Sequence, residues 1–145
     1  MTKYLVANHA RTVWRMLGPG FSERVYHNAM EVCLRQSGLA YETERVMPIF
    51  FNGQAIGNMR ADLIVDRHLV VELKSVRALK DEHRVQARQY LRLLGIEEAL
   101  LINFPTFEAP MPEVEELRLS VSPPTEAHCK SDAKSDPGGT TSLST

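Results

Sequence analysis

A chain of 145 residues is one domain of common size, long enough to bury a real core, and its hydrophobic and charged fractions of 43% and 24% are those of ordinary soluble globular proteins. A net charge of −1 excludes a global basic field for nucleic acid, so any polyanion binding must come from a local patch. The two cysteines, Cys33 in a helical pattern and Cys129 in a polar tail, form neither a disulfide framework nor a zinc spacing, which fits a reducing, cytoplasmic setting. No apolar run approaches the roughly 18–20 residues of a membrane span, and the N-terminus lacks the apolar centre of a signal peptide.

In chain order, Tyr4 to Leu17 has helical periodicity, with Leu5, Val13, Trp14 and Leu17 as expected core, and Gly18-Pro19-Gly20 ends it. Phe21 to Gln36 reads as a second helix, with Phe21, Val25, Ala29, Val32 and Cys33 as its apolar stripe and Gly38 after its end. Tyr41 to Phe51 is a strand closed by the Asn52-Gly53 turn signal, and Gln54 to Val65 and Leu69 to Val76 are the next two strands. Lys80 to Leu94 is a helix ended by Gly95, and Ala99 to Phe104 is a buried strand stopped by Pro105. Leu117 to Val121 is an edge strand. From Ser122 onward the chain is rich in Ser, Thr, Pro, Gly and charge and is expected to be disordered, leaving residues 1–121 as the folded domain. The order α-α-β-β-β-α-β predicts an α/β sandwich with a mixed sheet.

The segment Asp62 to Ser75, DLIVDRHLVVELKS, carries the chemistry. A hairpin centred on Arg67, with Asp66-Arg67-His68 as its turn, sets Asp62 across from Glu72, and cross-strand neighbours have Cβ atoms roughly 4.5–5.5 Å apart. Lys74 shares a face with Glu72, being two residues along the same strand. Two carboxylates that close repel unless a proton or a cation lies between them, and a divalent metal is the obvious resident. Against this stands a solvated strand face in which Lys74 simply neutralises Glu72.

On the helix after this hairpin, His83, Gln86 and Tyr90 share one side. Lys80, Arg84 and Arg88 run beside them, either as a solvated face or as a phosphate-tracking stripe. Glu23 opens the second helix, where a carboxylate favours the positive end of the helix dipole; it also stands ready as a third carboxylate if that helix starts over Asp62 and Glu72.

The stretches GPGFSERVY, IGNMRADLIVDRHLVVELKSV, EHRVQARQYL and LLINFP, taken together and in this order, closely resemble the small bacterial GxxExxY family of the PD-(D/E)xK nuclease superfamily. The family motif here is Gly20, Glu23 and Tyr26, and the resemblance covers about Val13 to Pro105. It implies a restriction-endonuclease-like core, a mixed sheet flanked by helices. It implies that Asp62 and Glu72 bind Mg²⁺, or Mn²⁺ in its place, with the Leu73 carbonyl as a third ligand, and that Lys74 assists the attacking water. Glu23 matches the acidic residue of the first core helix, and Gln86 and Tyr90 match the Gln-x-x-x-Tyr element of the helix after the sheet. Ala61 stands where the signature has proline, a position that does not ligate metal. Two functions are therefore expected to compete: a Mg²⁺-dependent nuclease acting on DNA, alone or within a larger DNA-processing complex, and a non-catalytic nucleic-acid- or partner-binding module on the same fold.

Overall fold

The structure is a computed structural model describing residues 1–119; the expectation of an unstructured tail from Ser122 lies outside the described residues. The elements are α1 (Thr2–Leu17), α2 (Glu23–Gln36), β1 (Tyr41–Phe51), β2 (Gln54–Val65), β3 (Leu69–Lys74), α3 (Asp81–Leu94), β4 (Glu98–Asn103) and β5 (Glu113–Arg118). They build a five-stranded sheet in the order β1-β2-β3-β4-β5. β3 and β4 run parallel and every other neighbouring pair is antiparallel. The parallel step needs a crossover, and α3 provides it. The mixed sheet flanked by helices is the restriction-endonuclease-like architecture expected from the sequence. No described helix is long and apolar enough to cross a membrane.

Alternation along the central strands fills two cores. Leu63, Val65, Val71, Leu73, Leu100 and Ile102 face α1 and α2. Ile64, Val70, Ala99 and Leu101 face α3, where they meet Ala87, Tyr90 and Leu91. Apolar on both faces, β3 and β4 read as near-continuous hydrophobic runs, as buried parallel strands do. The turn residues behave as their chemistry requires: Asn52 and Gly53 both take positive φ, and Asp66 and Arg67 do so at the second hairpin.

α1 keeps most of its expected stripe, with Val13 and Trp14 buried and Leu17 packed against the core, whereas α2 buries a different one. In α1, Leu5 is exposed, and the buried residues are Val6, Ala7, Ala10, Val13 and Trp14. In α2, Phe21, Val25 and Val32 are exposed, while Tyr26, Met30 and Leu34 are buried and Ala29 and Cys33 pack beside them. The two candidate stripes of α2 are each helically spaced, and Tyr26 decides between them. Its ring stacks on Phe104 at 4.5 Å between centroids, and its hydroxyl donates to the Gly18 carbonyl at 2.6 Å. That contact turns the Tyr26 side inward and leaves the valines outside.

The last strand also differs, beginning at Glu113 rather than Leu117. Its glutamates disguise it, but each inward-reaching carboxylate has a partner. Glu113 accepts the Leu79 amide at 3.0 Å, and Glu115 takes a two-bonded grip from Arg84 at 2.7 and 2.8 Å.

Where β3 ends, Asn103 ties down the exit. Its fully buried amide accepts the Val76 N–H and donates to the Val76 carbonyl, both at 2.9 Å. This holds the Ser75–Val76 backbone against β4. Replacing Asn103 by Ala strands both Val76 groups, and we expect a loss of about 1–3 kcal/mol in urea unfolding with the fold retained.

Candidate active site

The β2–β3 ladder pairs Leu63 with Val71, Ile64 with Val70 and Val65 with Leu69, and continuing that register sets Asp62 opposite Glu72. There the main-chain ladder stops and side chains take over. The Asp62 N–H donates to Glu72 Oε1 at 3.0 Å, and the Leu73 N–H donates to Asp62 Oδ2 at 2.8 Å. Each carboxyl thus caps an amide of the other's strand. On its other side Asp62 faces a second interruption, because β1 pairs Thr43 with Leu63 and Arg45 with Ala61 while Glu44 between them takes a left-handed φ of 53°. Leu63 faces the α1–α2 core and Ala61 the α3 core. Residues two apart in a regular strand share a face; the strand is therefore irregular at Asp62, which frees its side chain to sit at the end of the sheet.

Glu72 is only 3% exposed. Burial, and then the neighbouring Asp62 carboxylate, push its carboxyl well above the usual range. Lys74 opposes this from two residues along, its ammonium donating to Gln86 Oε1 at 3.0 Å. Gln86 thereby holds the ammonium on the α3 side of the patch. Tyr90, one turn further along α3, is raised by burial first and then by the field of Glu72 and Asp62.

Glu23 begins α2 and stays open to solvent, but it belongs to the same patch. Partial burial and then Asp62 raise its pKa, while Lys74 and the Ser75 main-chain amide oppose the rise. Gly20, at a φ of 107° that L side chains rarely adopt, lets the preceding loop bring the Phe21 amide to the Tyr26 hydroxyl at 3.4 Å. Gly20 and Tyr26 thus act as a clasp on the loop that leads into Glu23. A cleft of about 200 Å³ opens between Glu23, Arg24, His27 and Asp62.

The structure brings Glu23, Asp62, Glu72, Lys74, Gln86 and Tyr90 together. It does not leave the whole of the α3 basic stripe free. Arg84 is held by Glu115 and by Asp81, the latter at 2.8 Å, and Arg88 lies in the field of Glu115. Lys80 precedes the helix, where its amide donates to His83 Nδ1 at 2.9 Å, so His83 has a capping bond. The sequence pattern did not single out Arg24, which pairs with Glu44, His27, which is buried against Thr43 and Glu31, or Arg77, which lies 5.1 Å over the Phe107 ring. Arg77 follows Lys74 by three residues, a proximity that the motif spacing alone could have flagged.

The donor set suits a hard divalent cation. Asp62 and Glu72 are oxygen ligands under mutual repulsion, and each uses one named oxygen on an amide. The Lys74 carbonyl is taken by the Phe104 amide on the β4 side. Successive residues of a strand turn their main-chain groups to opposite sides, so the Leu73 carbonyl faces β2 as its amide does. Among the described residues no group of three or more His, Cys, Asp or Glu side chains is assembled to hold a metal. The pair therefore needs main-chain and solvent oxygens to complete a coordination sphere, which matches a cation that keeps several waters.

The raised Glu72 and Glu23 carboxyls fix a sign for metal-free stability. Between the unfolded glutamate pKa of about 4.3 and the higher folded one, the native state binds more protons, so stability falls as pH rises through that window. Thermal midpoints measured from acid to neutral pH in a chelator should decline for this reason. Glu72→Gln should flatten the decline and raise the neutral-pH midpoint; an unchanged slope would show that Glu72 is not the strained group.

Residues 1–117 match the PD-(D/E)XK nuclease superfamily. No curated protein sequence matches significantly. Among solved structures, the crystal structure of SSO0001 is similar at a TM-score of 0.53 and 24% identity, over 68% of this chain and 50% of that one. The present chain therefore spans half the length of that relative, and the likeness is one of fold. A phage-related exonuclease from Haemophilus somnus 129PT is similar at a TM-score of 0.43 and 12% identity, over 79% of this chain and 72% of that one. With the family match covering every element but the last residue of β5, the chain belongs to the PD-(D/E)XK nuclease superfamily.

Proposed function

We propose that this chain is a divalent-metal-dependent nuclease that hydrolyses phosphodiester bonds of DNA, and that within its superfamily it belongs to the GxxExxY branch. One observation supports this reading above the others. A buried Glu72, repelled by the partly buried Asp62, sits beside Lys74 in a chain whose superfamily is one of nucleases. Such a pair with no ligand is a cost to the fold, and a cation converts it into a site. The Gly20, Glu23 and Tyr26 spacing supports the finer assignment, because each position has a physical task at the entry to the patch.

Asp62 and Glu72, with the Leu73 carbonyl, would hold Mg²⁺ or Mn²⁺, which supplies a water of lowered pKa and charge stabilisation at the phosphate oxygens. Lys74 places a fixed positive charge beside the carboxylates, where it offsets charge developing on the phosphate. Gln86 accepts from Lys74 through its carbonyl and keeps its amide N–H groups for a water or a phosphate oxygen. Glu23 faces Lys74 and Asp62 from the other side of the cleft and is the candidate to accept a proton from an attacking water. Lys80 and Arg88 remain as backbone contacts; Arg84, gripped by Glu115, does not.

The test does not require knowing the substrate. Mg²⁺ that binds only the folded state should raise the wild-type thermal midpoint, by the equivalent of about 2.7 kcal/mol at a hundred times its Kd. Glu72→Gln should lose most of that rise and all metal-dependent cleavage on a panel of single-stranded, duplex, flapped and branched DNA. An identical metal response in the two proteins would sink the nuclease reading.

A further inference from the structure

β1 and β2 are 11 and 12 residues long, yet β2 is paired to β3 only through Leu63, Ile64 and Val65. The rest of the hairpin, from about Val46 to Arg60, runs on as a two-stranded ribbon beyond the third strand. Within it only Met47 is buried, while Val46, Phe50, Phe51 and Ile56 are 51%, 47%, 60% and 63% exposed. An isolated two-stranded ribbon is marginally stable in water, and large apolar side chains left exposed together at its tip mark a place of contact. The pairing shifts between Ile49 and Phe50, leaving Ile56 as an extra residue on β2. This bulge re-aims the tip, where Phe50, Phe51 and Ile56 surround the Asn52-Gly53 turn.

Two features indicate what covers this ribbon. From Val46 to Ala61 it carries no acidic residue, and its charged group, Arg60, is exposed. The acids just before it are engaged, Glu42 with Arg45 and Glu44 with Arg24. The ribbon is also rooted at the candidate site, because it leaves the sheet at Asp62, whose carboxyl caps Leu73. Whatever binds across Asp62 and Glu72 meets the base of the ribbon. A two-stranded ribbon fits the major groove of a duplex, and apolar side chains wedge between base steps in the minor groove.

We propose that the β1–β2 ribbon is a duplex-engaging arm, with Phe50, Phe51 and Ile56 at its tip contacting and unstacking base pairs roughly 20 Å along the ribbon from the carboxylate pair, at about 3.3 Å per strand residue. This rests on the nuclease reading for the identity of the polyanion, and it narrows the substrate to nucleic acid with a duplex portion.

The experiment measures binding in a chelator, so that cleavage does not enter. Fluorescence anisotropy of the full chain is compared on a duplex carrying 2-aminopurine and on its single strand. Phe50→Ala/Phe51→Ala should weaken duplex binding about tenfold, equal to about 1.4 kcal/mol, and leave single-strand binding within about twofold. It should also abolish the 2-aminopurine rise. Both rings are exposed, and an unchanged thermal midpoint verifies the fold. Arg60→Gln should lower the salt dependence of duplex binding by about one unit of slope. Duplex affinity equal to wild type in the double variant, or no duplex binding by the wild type, overturns the proposal. So does a wild-type dimer that the double variant dissolves in sedimentation without changing duplex binding, which assigns the ribbon to a second copy. Phe-dependent duplex binding without cleavage under any metal would instead count against the nuclease reading and leave the arm standing.

Discussion

The structure turns on the place where the β2–β3 ladder gives out. Two acidic side chains there do the work of main-chain groups, Asp62 capping the Leu73 amide and Glu72 the Asp62 amide. Those bonds hold each carboxyl in one orientation, and the apolar rows on both faces of β3 keep the strands from shifting. The fold uses rigidity on both sides of the sheet to hold together two groups that repel. A solvent-exposed pair would relieve itself by turning into water; Glu72, almost fully buried, lacks that escape. The consequence is a raised carboxyl pKa and a site that is most comfortable with a proton or a cation in it.

The surrounding elements make sense as supports for that pair. α3 packs its Ala87, Tyr90 and Leu91 side against the sheet, and this places Gln86 on Lys74. α2 approaches from the opposite face, fixed by the stacked Tyr26 and Phe104 rings and the Tyr26 bond to Gly18. That packing sets the start of α2, and so Glu23, at the Ser75 end of β3. Asn103 secures the same end from β4 by holding both main-chain groups of Val76. Three elements, α3, α2 and β4, thus meet the end of β3, each fixed in place by packing or bonds of its own.

How much of this the sequence disclosed follows from the range of the forces involved. The second hairpin was legible because a polar turn and period-two alternation settle its register locally, and register places Asp62 opposite Glu72. The helix limits were legible for the same reason, from glycines that end α1 and α3 within a residue of expectation. The buried face of α2 was not, because Val25/Val32 and Tyr26/Met30/Leu34 are both helically spaced and only a distant residue, Phe104, separates them. The early start of β5 was hidden by its glutamates, whose partners Arg84 and the Leu79 amide lie over thirty residues away. The candidate site residues were named through a resemblance that spans the motifs, and the structure brings six of them to one patch. Its supports, Asn103 and the irregularity opposite Glu44, carry no local signal.

The near-zero net charge hides a gradient across the sheet. Glu113, Glu115 and Glu116 line β5 at one edge, and Glu97 and Glu98 lie beside them at the start of β4. At the other edge the β1–β2 ribbon has no acid from Val46 to Ala61. Asp62 and Glu72 sit between, on β2 and β3. On α3, Arg84 is held at the β5 edge by Glu115. The acids of the β5 edge are themselves paired, Glu98 and Glu116 with Lys3, Glu98 with Arg118 and Glu115 with Arg84, so that edge is a network of ion pairs and not a bare negative field. The two edges are therefore distinguished less by charge than by exposed apolar surface, which the β1–β2 ribbon offers at Phe50, Phe51 and Ile56. Salt would leave that distinction in place, since screening acts on charges and not on apolar contact.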